Sequence, residues 1–295
     1  MDTEIRTSKA TAVGSTLGGE LISYKRNGQE YVWEGLPEYW ASHAPILFPT
    51  VGSTIDGSVK FEGVAYPLQK HGFARKQEFR LLEDDGDKLV YELFDNQETR
   101  KVYPYKFRLL VTHKITDEGF STEYTVENID QKPIWFCIGG HAGFRCPMKD
   151  GEKFSDYKLI FDSVENEDVI YTTNYGGGYI DASLPVTDKL KNTNEWDLNY
   201  EDYDVDVLLT KKLKSHSVKL VNKNTGKGID FDFSGFKALG IWTPPKKHAP
   251  FVCIEPWNGL PAHLDETGNF EDKPYAIKLG VGEKYSVGYS MKVID

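Results

Sequence analysis

Four short segments set an ionisable side chain among glycines or at the end of an apolar run. They are His71-Gly72-Phe73-Ala74-Arg75, Gly139-Gly140-His141-Ala142-Gly143-Phe144, Asp204-Val205-Asp206, and Phe251-Val252-Cys253-Ile254-Glu255-Pro256-Trp257. An imidazole titrates near neutrality, so His141 can give or take a proton. A carboxylate beside an indole is partly desolvated, which raises its pKa and suits Glu255 to act as a base. Together they are a candidate acid and base from distant parts of the chain. Glycine at position 72 lets backbone approach a ligand closely, and in an extended segment His71, Phe73 and Arg75 share one face. Taken singly, each residue also fits a plainer role: a surface glutamate, a turn histidine, a solvated arginine at a strand edge, a solvated acidic run.

Other chemistries find less support. His71 could join His141 and Glu255 as a third metal ligand, but there is no His-x-His or His-x-x-x-His pair, and no two cysteines have ligand spacing. Serine-nucleophile and phosphate-loop patterns are absent. The glycine-rich stretch Asn174 to Tyr179 lacks the following Lys-Ser/Thr and helix that a phosphate cradle needs.

The elements that must position these residues read as strands. Short β-type runs recur with turn signals between them, and no window shows sustained helical periodicity. Glu20 to Trp33 predicts a hairpin about Asn27-Gly28, a pair suited to a type I′ turn. Further hairpins are expected at Phe61 to Tyr66, Phe79 to Phe94 and Phe107 to Val126, with a single helical turn within Gln97 to Lys101. Ile134 to Ile138 reads as a buried strand leading into Gly139. Phe251 to Ile254 reads as a strand ended at Glu255 by Pro256, which offers no backbone donor. Tyr275 to Leu279 and Lys284 to Val293 are expected to pair about Gly280 to Glu283. The pattern predicts an all-β protein, a large antiparallel sandwich with very little helix. No linker, composition break or repeat divides it, so residues 1–295 are expected to form one domain.

Composition narrows the partners. The net charge of −10 argues against nucleic acid and anionic membranes. Aromatic residues make up 13% of the 295, which suits strands and sugar-stacking surfaces. The three cysteines, Cys137, Cys146 and Cys253, form no disulfide framework. With no apolar leader at Met1 to Arg6, no membrane-length run and no Asn-x-Ser/Thr sequon, a cytoplasmic location is expected.

The ordered set Ala44-Pro45-Ile46-Leu47-Phe48-Pro49, His71-Gly72-Phe73-Ala74-Arg75, Tyr103-Pro104, Gly139-Gly140-His141 and Glu255-Pro256-Trp257 resembles the aldose 1-epimerase (galactose mutarotase-like) family, in particular its LacX-like bacterial branch. The resemblance runs from about Gly18 to the C-terminus. It implies a β-super-sandwich, interconversion of the α and β anomers of an aldose, and neither metal nor organic cofactor. It further implies Glu255 as general base, His141 as general acid, and His71, Arg75 and Asp206 as sugar-binding residues. With these roles, His141 is expected to start protonated and Glu255 ionised near pH 7. Some positions depart from the pattern. Ser42-His43 and Ser53 stand where relatives often carry arginine, and Gly140-His141-Ala142-Gly143 replaces a commoner Gly-His-Pro-Ala. Two alternatives stay open: a non-catalytic carbohydrate-binding protein on the same fold, and a hexose-6-phosphate 1-epimerase using Arg75 and a lysine such as Lys246 or Lys247.

Overall fold

Alternation of buried and exposed side chains generates the strands. In Phe107–Ile115 every second residue is buried, from Phe107 through Leu109, Val111 and His113 to Ile115. That strand pairs antiparallel with Gly119–Asn128 across a short turn. The computed structural model describes residues 1–173, 178–184 and 186–295. Positions 174–177 of the glycine-rich stretch lie outside them.

Among the described residues, sixteen strands join in one antiparallel sheet. Its path runs from Ile46–Leu47 through Ile138–Gly140, Phe251–Asn258, Ala238–Trp242, Leu208–Lys211 and Tyr157–Thr173. It continues through Ser217–Asn222, Gly228–Asp232, Lys284–Ile294, Gly119–Asn128, Phe107–Ile115 and Lys88–Phe94 to Arg80–Asp84. The sheet folds over on itself. Phe144, on the strand Ala142–Arg145 beside Phe251–Asn258, stacks on Phe120 at 6.5 Å and meets Phe231 edge-on at 5.5 Å. Those two partners come from the far half of the path. Burying such a ring contributes about 1.5–3 kcal/mol, which makes the meeting of the two layers a main source of stability. A separate four-stranded sheet, Asp2–Arg6, Ala10–Ser15, Glu20–Arg26 and Gln29–Glu30, carries the N-terminus. Six helical turns of three or four residues, one of them Thr99–Lys101, are the only helix among the described residues. None is long and apolar enough to cross a membrane. The chain is thus an all-β protein built on a large antiparallel sheet.

The structure departs from the sequence expectations in four places. The first hairpin is shorter than predicted: only Lys25 and Arg26 pair across the turn, with Glu30 and Gln29, while the rest of Glu20–Arg26 pairs with Ala10–Ser15 and Val32 bridges to Phe144. The buried run at 134–138 breaks at Cys137, whose N–H turns to the Pro49 carbonyl. Ile277–Leu279 pairs with Ile134–Phe136, while Lys284–Ile294 pairs with Gly119–Asn128 and Gly228–Asp232, so the two do not form a hairpin. Most importantly, the strand Phe251–Asn258 runs straight through Glu255 and Pro256.

His113 is a buried histidine far from the segments singled out above. Its Nε2–H donates to the Gly19 carbonyl at 2.8 Å, and Nδ1 accepts from Thr122 Oγ1 at 2.9 Å. Burial lowers its pKa to about 4, and the Gly19 bond only partly offsets this. Between about 6.5 and 4 the unfolded chain binds a proton at this site that the folded chain refuses. The contribution of His113 is therefore fully present above about pH 6.5 and is lost as pH falls toward 4, with a slope of at most about 1.4 kcal/mol per pH unit. The Tm of His113→Gln should be lower than that of the parent at pH 7.5, and the gap should shrink by pH 4.5. A gap that stays constant across this range would contradict a neutral buried His113.

Candidate active site

Register brings His141 to Glu255. Ile138 and Gly139 pair with Asn258 and Trp257, and Ala142 pairs with Ile254. The same register, carried across the two-residue gap between these ladders, sets His141 directly opposite Glu255 and Gly140 opposite Pro256. Pro256 can sit inside a central strand because the partner ladder is open there. The His141 N–H is turned away, donating to the Pro45 carbonyl at 3.1 Å. Glycines make the close approach possible. A Cβ on Gly139 would lie 2.7 Å from the Trp257 ring, and one on Gly140 would lie 2.7 Å from the Tyr289 ring.

The two side chains meet at the floor of a cavity of about 220 Å³. That is room for roughly seven waters at ~30 Å³ each, the scale of one small polyol. His141 Nε2 lies 3.3 Å from Glu255 Oε2, with the residues 7% and 1% exposed. Trp40 stacks on the imidazole at 4.7 Å and Trp242 meets it edge-on at 5.3 Å. Trp257 and Pro261 add apolar wall.

All five sequence-predicted residues line this one cavity: His71, Arg75, His141, Asp206 and Glu255. His71 reaches it by an unexpected backbone. His71 and Gly72 both have positive φ, 65° and 70°, and Ala74–Lys76 is a helical turn, so the segment is not extended. A Cβ on Gly72 would sit 2.1 Å from the Phe48 carbonyl oxygen, which excludes any other residue. Phe73 therefore does not share a face with its neighbours; it packs against Phe48, Tyr103 and Phe107. The Gly52 N–H donates to His71 Nδ1 at 3.1 Å, which leaves the hydrogen of the neutral ring on Nε2. Asp206 is also held at positive φ, 84°. Its Oδ1 accepts from the Trp242 indole N–H at 2.7 Å, and its Oδ2 lies 3.7 Å from Lys70 Nζ. Two non-glycine residues in the left-handed region on one cavity mark local strain held by the surrounding sheet.

Lys70, Trp40 and Trp242 were missed by sequence reasoning. Lys70 adjoins His71 in the chain, a signal that was available. Trp40 sits in an irregular segment, where nothing in the spacing distinguishes it from any exposed aromatic. Of the departures noted above, His43 turns away from the cavity, its backbone N–H and that of Ala44 donating to Glu20. Ser53 does not line the cavity; its carbonyl accepts from Ala262 N–H. Gly143 is explained by packing, since a Cβ there would lie 2.9 Å from the His43 carbonyl and 3.1 Å from Trp33.

Burial dominates the electrostatics. Desolvation pushes the Glu255 carboxyl well above its usual range, with Asp206 adding to the rise and Lys70 and Trp257 opposing it. Desolvation, aided by Arg75 and Lys70, lowers His141 to about 3. His71 is driven well below its ordinary value by the same loss of water, with Lys70, His141 and Arg75 adding to it. Burial thus works against the ion pair expected from the sequence and favours the neutral pair, with the proton on the carboxyl. Removing two opposite charges from water costs more than their attraction returns.

A model of the aldose 1-epimerase family matches residues 2–292. The protein LacX, plasmid, of Lactococcus lactis subsp. lactis is 35% identical over 305 residues, covering all of both chains. The chain belongs to the aldose 1-epimerase family. Two solved structures share its architecture. The galactose mutarotase related enzyme from Lactobacillus acidophilus superposes with a TM-score of 0.93 at 28% identity, over 100% of this chain and 98% of the other. A galactose mutarotase-like protein from Lactobacillus casei gives 0.91 at 28% identity, over 100% of both. Aldose 1-epimerase membership thus rests on the whole length of the chain, and the sheet is that of the galactose mutarotase-like super-sandwich.

The electrostatic picture gives an NMR expectation. In nitrogen-correlated spectra of side-chain imidazoles, His71 and His141 should keep neutral-ring signatures down to pH 5. A charged His141 ring at pH 6 would overturn the neutral pair.

Proposed function

We propose that the protein is an aldose 1-epimerase that interconverts the α and β anomers of an aldose by opening and reclosing the sugar ring. The observation that carries this reading is the 3.3 Å approach of His141 Nε2 to Glu255 Oε2 at the floor of a monosaccharide-sized cavity. A binding protein has no use for a matched acid and base buried together. Ring opening needs a proton removed from the C1 hydroxyl and one delivered to the ring oxygen. In this reading Glu255 takes the first and His141 gives the second. The C1–O5 bond breaks, an aldehyde forms, and rotation about C1–C2 presents the opposite face. Reclosure then reverses both transfers.

The neutral pair fits this cycle. After ring opening Glu255 holds a proton and His141 has lost one, which is the protonation state that burial favours. Before opening, moving that single proton across 3.3 Å from the carboxyl to the imidazole gives the ionised pair that starts the step, and reclosure returns that ionised pair. The two states differ in the position of one proton and not in total charge, so neither half of the cycle requires exchange with solvent. In this reading His71 Nε2–H, Arg75 and Asp206, which line the cavity, hold sugar hydroxyls or the ring oxygen. The indoles of Trp40 and Trp242 offer apolar faces to the ring C–H groups.

Lys70 and Arg75 on the same cavity keep the second reading, a phosphorylated hexose, in view. Lys246 and Lys247, the lysines considered from sequence, are absent from the cavity lining, and Lys247 Nζ donates to the carbonyls of Glu38 and Tyr39. Lys70 Nζ already faces Asp206, which favours a neutral sugar that can bond to both.

Exchange NMR or polarimetry on freshly dissolved aldoses and hexose 6-phosphates tests this. Glu255→Gln should lower kcat/KM by ~10²–10⁴ while sugar binding persists. An unchanged rate in that variant would remove the acid/base assignment. Trp242→Phe deletes the indole donor to Asp206 and keeps an aromatic ring beside His141 and Trp40. It should weaken sugar binding by ~3–10-fold, the worth of one hydrogen bond, with a smaller change in kcat. Equal affinity in parent and variant would count against Asp206 as a sugar ligand.

A further inference from the structure

Alternation along a strand puts residues 253 and 255 on the same face, and the register sets His141 across from Glu255. One nitrogen of His141, the thiol of Cys253 and one carboxylate oxygen of Glu255 accordingly lie within 4.8 Å of one another. All three residues are buried, and none of the three cysteines is in a disulfide. We propose that His141, Cys253 and Glu255 form a site for a soft or borderline divalent cation such as Zn²⁺ or Cd²⁺, and that the bound ion shuts the acid/base pair down. The inhibition rests on the proposed epimerase activity; the binding does not.

The donor set is one that zinc-type ions take: a thiolate, an imidazole and a carboxylate, with bonds of ~2.3, ~2.0 and ~2.1 Å. A tetrahedral ion with those bonds wants its donors ~3.5 Å apart. The His141–Glu255 separation of 3.3 Å already satisfies this, and all three donor atoms lie within 4.8 Å of one another. Binding replaces two protons, that of the Cys253 thiol and the one held by the His141–Glu255 pair, with one dication. The buried site therefore gains no net charge, which removes the main cost of placing an ion there. The cavity touches His141 and Glu255 but not Cys253. The ion thus arrives from the sugar side and keeps its open coordination position toward the cavity, so ion and sugar compete. Oxygen-seeking Mg²⁺ and Ca²⁺ do not match a thiolate site.

Titrating the full-length protein with Cd²⁺ and reading the ultraviolet thiolate-to-cadmium charge-transfer band tests binding without reference to activity. One equivalent should saturate the band, and Mg²⁺ should produce none. Cys253→Ser should lose the band, and Cys253→Ala serves if the serine variant folds poorly. The remaining cysteines, Cys137 and Cys146, then act as internal controls. Absence of a one-equivalent band in the parent, or its survival in the Cys253 variants, would overturn the site. In an epimerase assay Zn²⁺ should inhibit the parent competitively with sugar and leave Cys253→Ala unaffected. Equal inhibition of both would overturn the blocking role. A band without any epimerase activity would leave the ion site standing and remove the proposed function alone.

Discussion

The cost of burying ionisable groups is the constraint around which this protein is arranged. His141 and Glu255 sit opposite each other in a central antiparallel ladder with almost no contact with water. Each is disfavoured there in its charged form, because an unpaired buried charge would cost several kcal/mol. Side by side they share one proton and stay neutral overall. The strain at His71 and Asp206, the indoles around the imidazole and the break in the ladder at His141 all serve to hold that pair dry and reachable from one side.

The sheet provides the rigidity. Every residue of Phe251–Asn258 is buried, so a slip of one residue would exchange its two packed faces, and the packing on both sides fixes the register. The same register fixes the distance between the two ionisable groups. Gly139, Gly140 and Gly143 let this ladder approach Trp257, Tyr289 and Trp33 more closely than any side chain would allow. The site is therefore built mostly from ordered strands, with His71, Arg75 and Asp206 brought to its rim by turns.

The lining also bears on substrate. Three tryptophans form apolar walls, while Lys70, Arg75 and Asp206 give a rim of mixed charge. His43 and Ser53 stand clear of the cavity and add nothing to its lining. The cationic groups that remain are Lys70, already engaged with Asp206, and Arg75.

Much of this was legible in the linear chain. Alternation in Phe107–Ile115 and its partners gives the all-β class, and residue type picks out the ionisable groups that line the cavity, because glycine neighbours and strand position mark His71, His141 and Glu255 as unusual. The continuation of a strand through Pro256 was not legible, since proline's missing donor matters only if a partner stands opposite, and the partner ladder is open there. Nor was the turn at His71-Gly72, which follows from a clash with the Phe48 carbonyl of a remote segment. Trp40 and Lys70 carry no periodic signal. The protonation state was out of reach for a further reason: it depends on how much water the folded sheet excludes, a property of packing and not of any residue. Sequence determined which groups are available and which strands carry them. Tertiary structure alone decided which groups meet, and with how little water, because burial and register are set by contacts between residues more than a hundred positions apart.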